Sequence, residues 1–143
     1  MNSELIRIVL ADDHRIIRES WKVLLENNPR FKVVADCENG ELAIIQATEL
    51  MPDILLVDIN MSPGNGFEVA RHVTENLPSV RVMGLSVNNQ PKYAIRMMKL
   101  GAKGYLTKTS SLEEINHGIN EVHNGKLYIC EEVRKHLPPS VFE

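Results

Sequence analysis

Five polar residues stand where short apolar runs stop. Asp12 and Asp13 follow the run from Leu5 to Leu10, and Asp58 follows Ile54-Leu55-Leu56-Val57. Ser86 follows Val80 to Leu85, and Lys108 closes Gly104-Tyr105-Leu106-Thr107. A continuous apolar run with no alternation fits a strand buried on both faces, as in a parallel sheet covered by helices. Parallel strands bring their carboxyl ends to one edge, and neighbouring strands lie only ~4.8 Å apart. With the first and third strands adjacent, three carboxylates crowd together, each close pair repelling by roughly 4 kcal/mol at an effective dielectric near 20. Such a cluster calls for a divalent cation or a raised pKa. All-oxygen ligands favour Mg²⁺, which keeps several waters and takes one or two carboxylates plus a phosphate oxygen. Asp58 is then a candidate nucleophile toward phosphorus, since a carboxylate can form an acyl phosphate. Lys108 would pair with the phosphoryl oxygens and the Ser86 hydroxyl would donate to another. Taken singly, the acids read as turn residues, Ser86 as a strand cap and Lys108 as a solvated side chain. Their joint fall at the ends of four strands favours the chemical reading.

The elements that must position them alternate strictly. The first strand is followed by helical spacing at Ile17, Trp21, Leu24 and Leu25, stopped by Asn27-Asn28-Pro29. Phe31, Val33 and Ala35 alternate with Lys32 and Asp36, as on a half-exposed edge strand. Asn39-Gly40 opens a second helix that ends at Pro52, before the buried strand to Asp58. A turn-rich loop, Ser62 to Gly66, leads to a third helix bearing Val69, Ala70, Val73 and Leu77. The fourth helix carries Ala94, Met97, Met98 and Leu100 and ends at Gly101; the two methionines read as core packing. The last long helix follows two overlapping capping boxes, Ser110 with Glu113 and Ser111 with Glu114, and ends at Asn124-Gly125. Five strands and five helices in alternation predict a doubly wound α/β domain with a parallel sheet.

Composition bounds the alternatives. The chain has 143 residues, 43% apolar and 24% charged, as expected of one soluble globular domain. A net charge of −3 argues against coating nucleic acid or an anionic membrane. Cys37 and Cys130 have neither metal-ligand spacing nor the look of a disulfide framework. No apolar stretch approaches ~18 residues, so no membrane span is predicted. The polar start, Met1 to Arg7, lacks a signal-peptide core, and a cytoplasmic location is expected. No glycine-rich phosphate loop follows the first strand, which speaks against a nucleotide-binding enzyme.

Four motifs, taken together, resemble the receiver domains of two-component response regulators. They are Val9-Leu10-Ala11-Asp12-Asp13-His14, Leu56-Val57-Asp58-Ile59-Asn60-Met61, Leu85-Ser86, and Gly101-Ala102-Lys103-Gly104-Tyr105-Leu106-Thr107-Lys108. The resemblance covers residues 5 to about 125 and is closest to the NarL/LuxR-type transcriptional regulators. It implies a flavodoxin/CheY-like (βα)5 fold of strand order 2-1-3-4-5, residues 1–125 forming the receiver and 126–143 a linker tail without an effector domain. It implies Asp58 as phosphoacceptor, with Asp12, Asp13 and Asp58 binding Mg²⁺ and Asn60 adding its backbone carbonyl. Ser86 becomes the switch hydroxyl, Tyr105 the switch aromatic and Lys108 the family's lysine. The implied partners are a sensor histidine kinase and a second copy of the chain after phosphorylation, with DNA reached only through an output domain. The chain is then a signalling phosphoacceptor rather than an enzyme, promoting only its own phosphorylation and dephosphorylation.

Three departures stand out. Met61-Ser62-Pro63 replaces the usual Met-Pro, although the step from Asp58 to Gly66 is kept. Val87 stands where the family more often has Ala or Gly, and would narrow donor access. Thr109 replaces a frequent cis proline, and a cis bond without proline costs about 3–4 kcal/mol. As a switch, Ser86 is expected to move toward the phosphoryl group and Tyr105 to turn inward behind it. A swing from 1:99 to 99:1 needs ~5.5 kcal/mol, whereas one charge-assisted contact gives about 2–3, so dimerisation would supply the remainder. His14 is read as a helix-start residue near the site, with metal ligation as its alternative. Glu131 to Leu137 is expected to form a short helix before Pro138-Pro139. Two other functions compete. An aspartyl-phosphate hydrolase of the haloacid-dehalogenase kind would want an acid where Asn60 stands, and a degenerate receiver acting only as a binding module would not need all five polar positions filled.

Overall fold

The structure, a computed structural model, describes residues 5–138; the polar start at Met1 to Glu4 and the Pro139 of the proline pair lie outside them. Among the described residues, six strands alternate with six helices. They are β1 (Ile6–Ala11), α1 (Arg15–Glu26), β2 (Phe31–Cys37), α2 (Gly40–Leu50), β3 (Ile54–Asp58) and α3 (Gly66–Asn76). These are followed by β4 (Arg81–Ser86), α4 (Pro91–Lys99), β5 (Gly104–Thr107), α5 (Leu112–His123), β6 (Tyr128–Ile129) and α6 (Glu131–Arg134). All neighbouring strands pair in parallel, in the order β2-β1-β3-β4-β5-β6. The expected order 2-1-3-4-5 is therefore present, and the sheet has six strands rather than five.

The added strand is a short apolar step rather than a periodic run. Gly104 pairs with Tyr128 and Tyr105 with Ile129, and the Cys130 N–H donates to the Tyr105 carbonyl at 2.9 Å. Ile129, Cys130 and Val133 are fully buried. The packed unit thus continues through α6, past the expected receiver boundary at residue 125, because this apolar segment covers the free edge of β5. The short helix ends at Arg134 rather than Leu137.

The central strand β3 is buried along its whole length. Each large apolar side chain removed from water there contributes about 1.5–3 kcal/mol before entropy is counted. α1 packs beside α5, while α2, α3 and α4 pack in succession, so the sheet lies between two helical layers. Side-chain caps fix three helix starts: Asn39 for α2, Asn65 in a reciprocal capping box with Glu68 for α3, and Ser111 for α5. Of the two overlapping boxes, Ser111 provides the cap, while the Ser110 hydroxyl lies 3.2 Å from that of Thr107. Gly66 allows α3 to start against the end of β3, since a Cβ there would lie 2.7 Å from the Ile59 Cα and 2.8 Å from the Asp58 carbonyl oxygen. The cis bond of the departing loop precedes Pro63, and the Lys108–Thr109 bond is trans.

Candidate functional site

Strand register sets the site. Ala11 pairs with Val57, so the next residues along the two adjacent strands are Asp12 and Asp58. Asp58 in turn pairs with Leu85, and Ser86 with Thr107, bringing Lys108 to the same edge. The Lys108 N–H donates to the Ser86 carbonyl at 2.8 Å, which ties the ends of β4 and β5 together. The reversal of winding between β1 and β3 is where open α/β sheets leave a crevice beyond their carboxyl ends.

Asp12 and Asp58 are 1% and 2% exposed. Between them lies the Lys108 ammonium, 2.9 Å from Asp58 Oδ2 and 2.7 Å from Asp12 Oδ2. The first contact is a hydrogen bond. The second is an ion pair without hydrogen-bond angles, and Asp12 Oδ2 is left without a hydrogen-bond donor. The other Asp58 oxygen, Oδ1, accepts the Asn60 N–H at 3.0 Å. Burial raises the Asp58 pKa above its ordinary value, held back by the Asn60 and Lys108 hydrogen bonds. Burial by itself would lower the Lys108 pKa, but its two carboxylate partners outweigh that and raise it.

Asp13 sits at the rim, more exposed than its neighbour. Asp12, Asp13, His14 and Asp58 each offer one ligand atom, and these atoms lie within 4.8 Å of one another. The donor set fits a hard cation: Asp12 and Asp58 are buried, and the single Lys108 ammonium is shared between them. Asp12, Asp13 and Asp58 would hold Mg²⁺. Asn60 reaches this group by its N–H on Asp58.

Ser86 is fully buried, and its Oγ accepts the Asn88 N–H at 2.9 Å, closing the loop that leads to α4. Val87 beside it is 72% exposed. Tyr105 differs from expectation. Its ring is fully buried and, like the Met97 methyl, lies within about 3 Å of where a Cβ on Gly84 would be, so the structure adopts the inward position rather than an outward one. The missing side chain at Gly84 leaves room for the ring. Burial pushes the Tyr105 phenol up to about 12, and its hydroxyl has no hydrogen-bond partner. Met97 is core, as expected. Both cysteines are free and buried, and burial pushes the Cys37 thiol up to about 11, so it is not a reactive thiolate.

Two supports of the site escaped sequence reasoning. Arg18 on α1 donates from Nη1 to the Asp12 carbonyl at 2.7 Å and from Nε to Asp36 at 3.1 Å, pinning the acidic loop to α1 and β2. Its position on the polar face of an amphipathic helix gave no signal beyond a surface charge. Glu132 on α6 accepts from the Asn89 side chain at 3.0 Å and from the Thr107 hydroxyl at 3.4 Å. It links the loop after Ser86 and the residue before Lys108 to the C-terminal segment, a contact between residues 43 and 25 positions apart.

Comparison with known proteins points one way. Residues 8–120 match the family described as the response regulator receiver domain. The chain is 37% identical over 137 residues to the transcriptional regulatory protein DegU of Brevibacillus brevis, covering 96% of this chain and 58% of that protein. It is 31% identical over 133 residues to the response regulator GacA of Pseudomonas protegens, covering 93% of this chain and 62% of that protein. Among solved structures, a LuxR-family two-component response regulator from Aurantimonas superposes with a TM-score of 0.88 at 28% identity, covering 92% of this chain and 94% of that one. The receiver domain of a NarL regulator from Mycobacterium tuberculosis gives 0.82 at 28% identity, covering 86% and 99%. The chain spans less than two thirds of the length of these curated relatives. Among the described residues no helix is long and apolar enough to cross a membrane.

Proposed function

This chain belongs to the response-regulator receiver family, of the NarL/LuxR type, and from that premise we propose that Asp58 accepts a phosphoryl group from a sensor histidine kinase. The observation that carries the reading is the buried triangle of Asp58, Asp12 and Lys108 at the ends of β3, β1 and β5.

In the transfer, an Asp58 carboxylate oxygen forms a bond to phosphorus as the donor's phosphorus–nitrogen bond breaks. The imidazole nitrogen leaves with the bonding pair, and one proton, carried on the other ring nitrogen or taken from water, makes the released side chain a neutral imidazole. Only the ionised carboxylate attacks, so Lys108 and the Asn60 N–H serve first by keeping a buried acid ionised. Lys108 then swings its pairing to a phosphoryl oxygen, where negative charge gathers. Mg²⁺, when bound to Asp12, Asp13 and Asp58 with the Asn60 carbonyl, supplies neutralisation of the phosphoryl charge. Ser86 exchanges its bond with the Asn88 N–H for a phosphoryl oxygen, and the loop it had closed is released. Tyr105, already seated over Gly84, would hold the space behind Ser86 and stabilise that arrangement. The loop's tie to Glu132 carries the change toward α6 and the chain beyond it. Dimerisation and control of a DNA-binding output domain, in the cytoplasm, complete the reading.

The test is to locate the modification. The chain is incubated with acetyl phosphate and Mg²⁺, then reduced with borohydride, which converts an aspartyl phosphate to homoserine. Peptide mass spectrometry should find that conversion at residue 58. Conversion at another carboxylate, with residue 58 untouched, would contradict the assignment.

A further inference from the structure

We propose that His14 is a fourth side-chain ligand in the acidic pocket, through Nδ1, and that it shifts the pocket's preference from Mg²⁺ toward divalent transition metals such as Mn²⁺ and Ni²⁺. The inference rests on the reading of Asp12, Asp13 and Asp58 as a cation site and adds a ligand that this reading does not contain.

The His14 Nδ1 lies 3.2 Å from Asp12 Oδ1, 3.1 Å from Asp13 Oδ1 and 4.0 Å from Asp58 Oδ2. Ligands about 2.1 Å from an octahedral ion stand about 3.0 Å apart when adjacent and about 4.2 Å when opposite. All three separations fall within that span, so the imidazole nitrogen is placed to share an ion with each of these carboxylate oxygens. The imidazole is not consumed by a helix-start role. His14 is the N-cap of α1, yet its side chain makes no capping hydrogen bond. Its backbone is held instead, the N–H donating to Asp12 Oδ1 at 2.8 Å, which keeps the ring over the pocket. The ring's side chain is 61% exposed, so it gives up little burial to coordinate. Inside the pocket, the Lys108 ammonium pairs with Asp12 Oδ2 and Asp58 Oδ2, while Asp12 Oδ1 and Asp13 Oδ1 face His14 with no lysine or arginine of the described residues against them. Those two oxygens are the ones a cation beside His14 would neutralise.

The consequence follows from ligand chemistry. Mg²⁺ gains little from a nitrogen ligand, whereas imidazole suits later first-row ions, whose affinity rises from Mn²⁺ toward Ni²⁺. The alternative is that Nδ1–H only donates a hydrogen bond to Asp12 or Asp13, in which case the ring carries no selectivity.

The experiment uses the full chain, wild type and His14→Asn, with Asp13→Asn as a marker of the site. Mn²⁺-loaded samples are examined by electron spin-echo modulation for ¹⁴N coupling from a bound imidazole. Mg²⁺, Mn²⁺ and Ni²⁺ affinities are measured by calorimetry. The wild type should show the imidazole coupling, and both variants should lose it. His14→Asn should weaken Ni²⁺ by about tenfold or more while leaving Mg²⁺ within about twofold. Absence of the coupling in the wild type, or equal weakening of all three ions, overturns the proposal. Failure of every ion to bind the wild type, or binding untouched by Asp13→Asn, overturns it by removing the cation site itself.

Discussion

The two ends of the β5 neighbourhood are held by opposite physics. At its carboxyl edge, Lys108 stands between two buried carboxylates, and the contacts there are polar, directional and few. Along its outer edge, Ile129, Cys130 and Val133 close the sheet by apolar burial. The first region is charged, strained by like-charge repulsion and open to a new anion. The second is a plain core extension. The contrast separates what is built to change from what is built to stay. A charge cluster held by one lysine can be rearranged by a phosphoryl group, whereas apolar packing has no such handle.

The largest effect that would sharpen this contrast comes from Lys108→Met. It leaves Asp12 and Asp58 buried without their cation, and breaking such a pair costs about 3–5 kcal/mol. Urea unfolding in chelator should show that loss, and added Mg²⁺ should recover part of it. A loss unaffected by Mg²⁺ would mean that the lysine matters for packing rather than for charge. Ile129→Ala comes next. Truncating this fully buried side chain should cost about 2–4 kcal/mol in the same assay, with no response to Mg²⁺ and no change in Mg²⁺ affinity. If it weakened Mg²⁺ binding, the two regions would not be separable.

The smallest effect lies where the regions meet. Tyr105→Phe removes a buried hydroxyl that has no partner, so stability near neutral pH should be unchanged or slightly higher. Its signature is alkaline. A phenol whose folded pKa is about 12 stays protonated while the unfolded chain ionises near the ordinary value of 10. The unfolded state then binds fewer protons, so stability present below pH 10 is lost as pH rises toward about 12. The full loss amounts to about 2–3 kcal/mol for this group. Unfolding curves across that range should fall less steeply in Tyr105→Phe than in the wild type. Equal slopes would mean that the ring is not buried as described.

Much of this was legible before the fold. The unbroken apolar run into Asp58 marks a doubly covered strand, and strict alternation fixes parallel strand ends, so Asp12, Asp58, Ser86 and Lys108 had to meet on one edge. Contacts that depend on where a side chain points were not legible. Two residues, Tyr128 and Ile129, are too few to show a period, so nothing in the sequence sets β6 apart from a linker. The inward ring of Tyr105 depends on the space left by Gly84 on the neighbouring strand, which no spacing along β5 reveals. Arg18 and Glu132 lie on polar helix positions, where sequence says only that they face outward. Each reaches back to the site across a gap that only the fold closes.

The central claim is that the charge cluster around Asp58 is a working phosphoacceptor. The most direct measurement is intact mass after incubation with acetyl phosphate, with Mg²⁺ or with chelator, for the wild type and Asp58→Asn. The account predicts a gain of one phosphoryl group in the wild type with Mg²⁺, its loss in chelator and its absence in Asp58→Asn. No gain in the wild type under either condition, or an equal gain in Asp58→Asn, would contradict it and leave the chain as a receiver-shaped binding module.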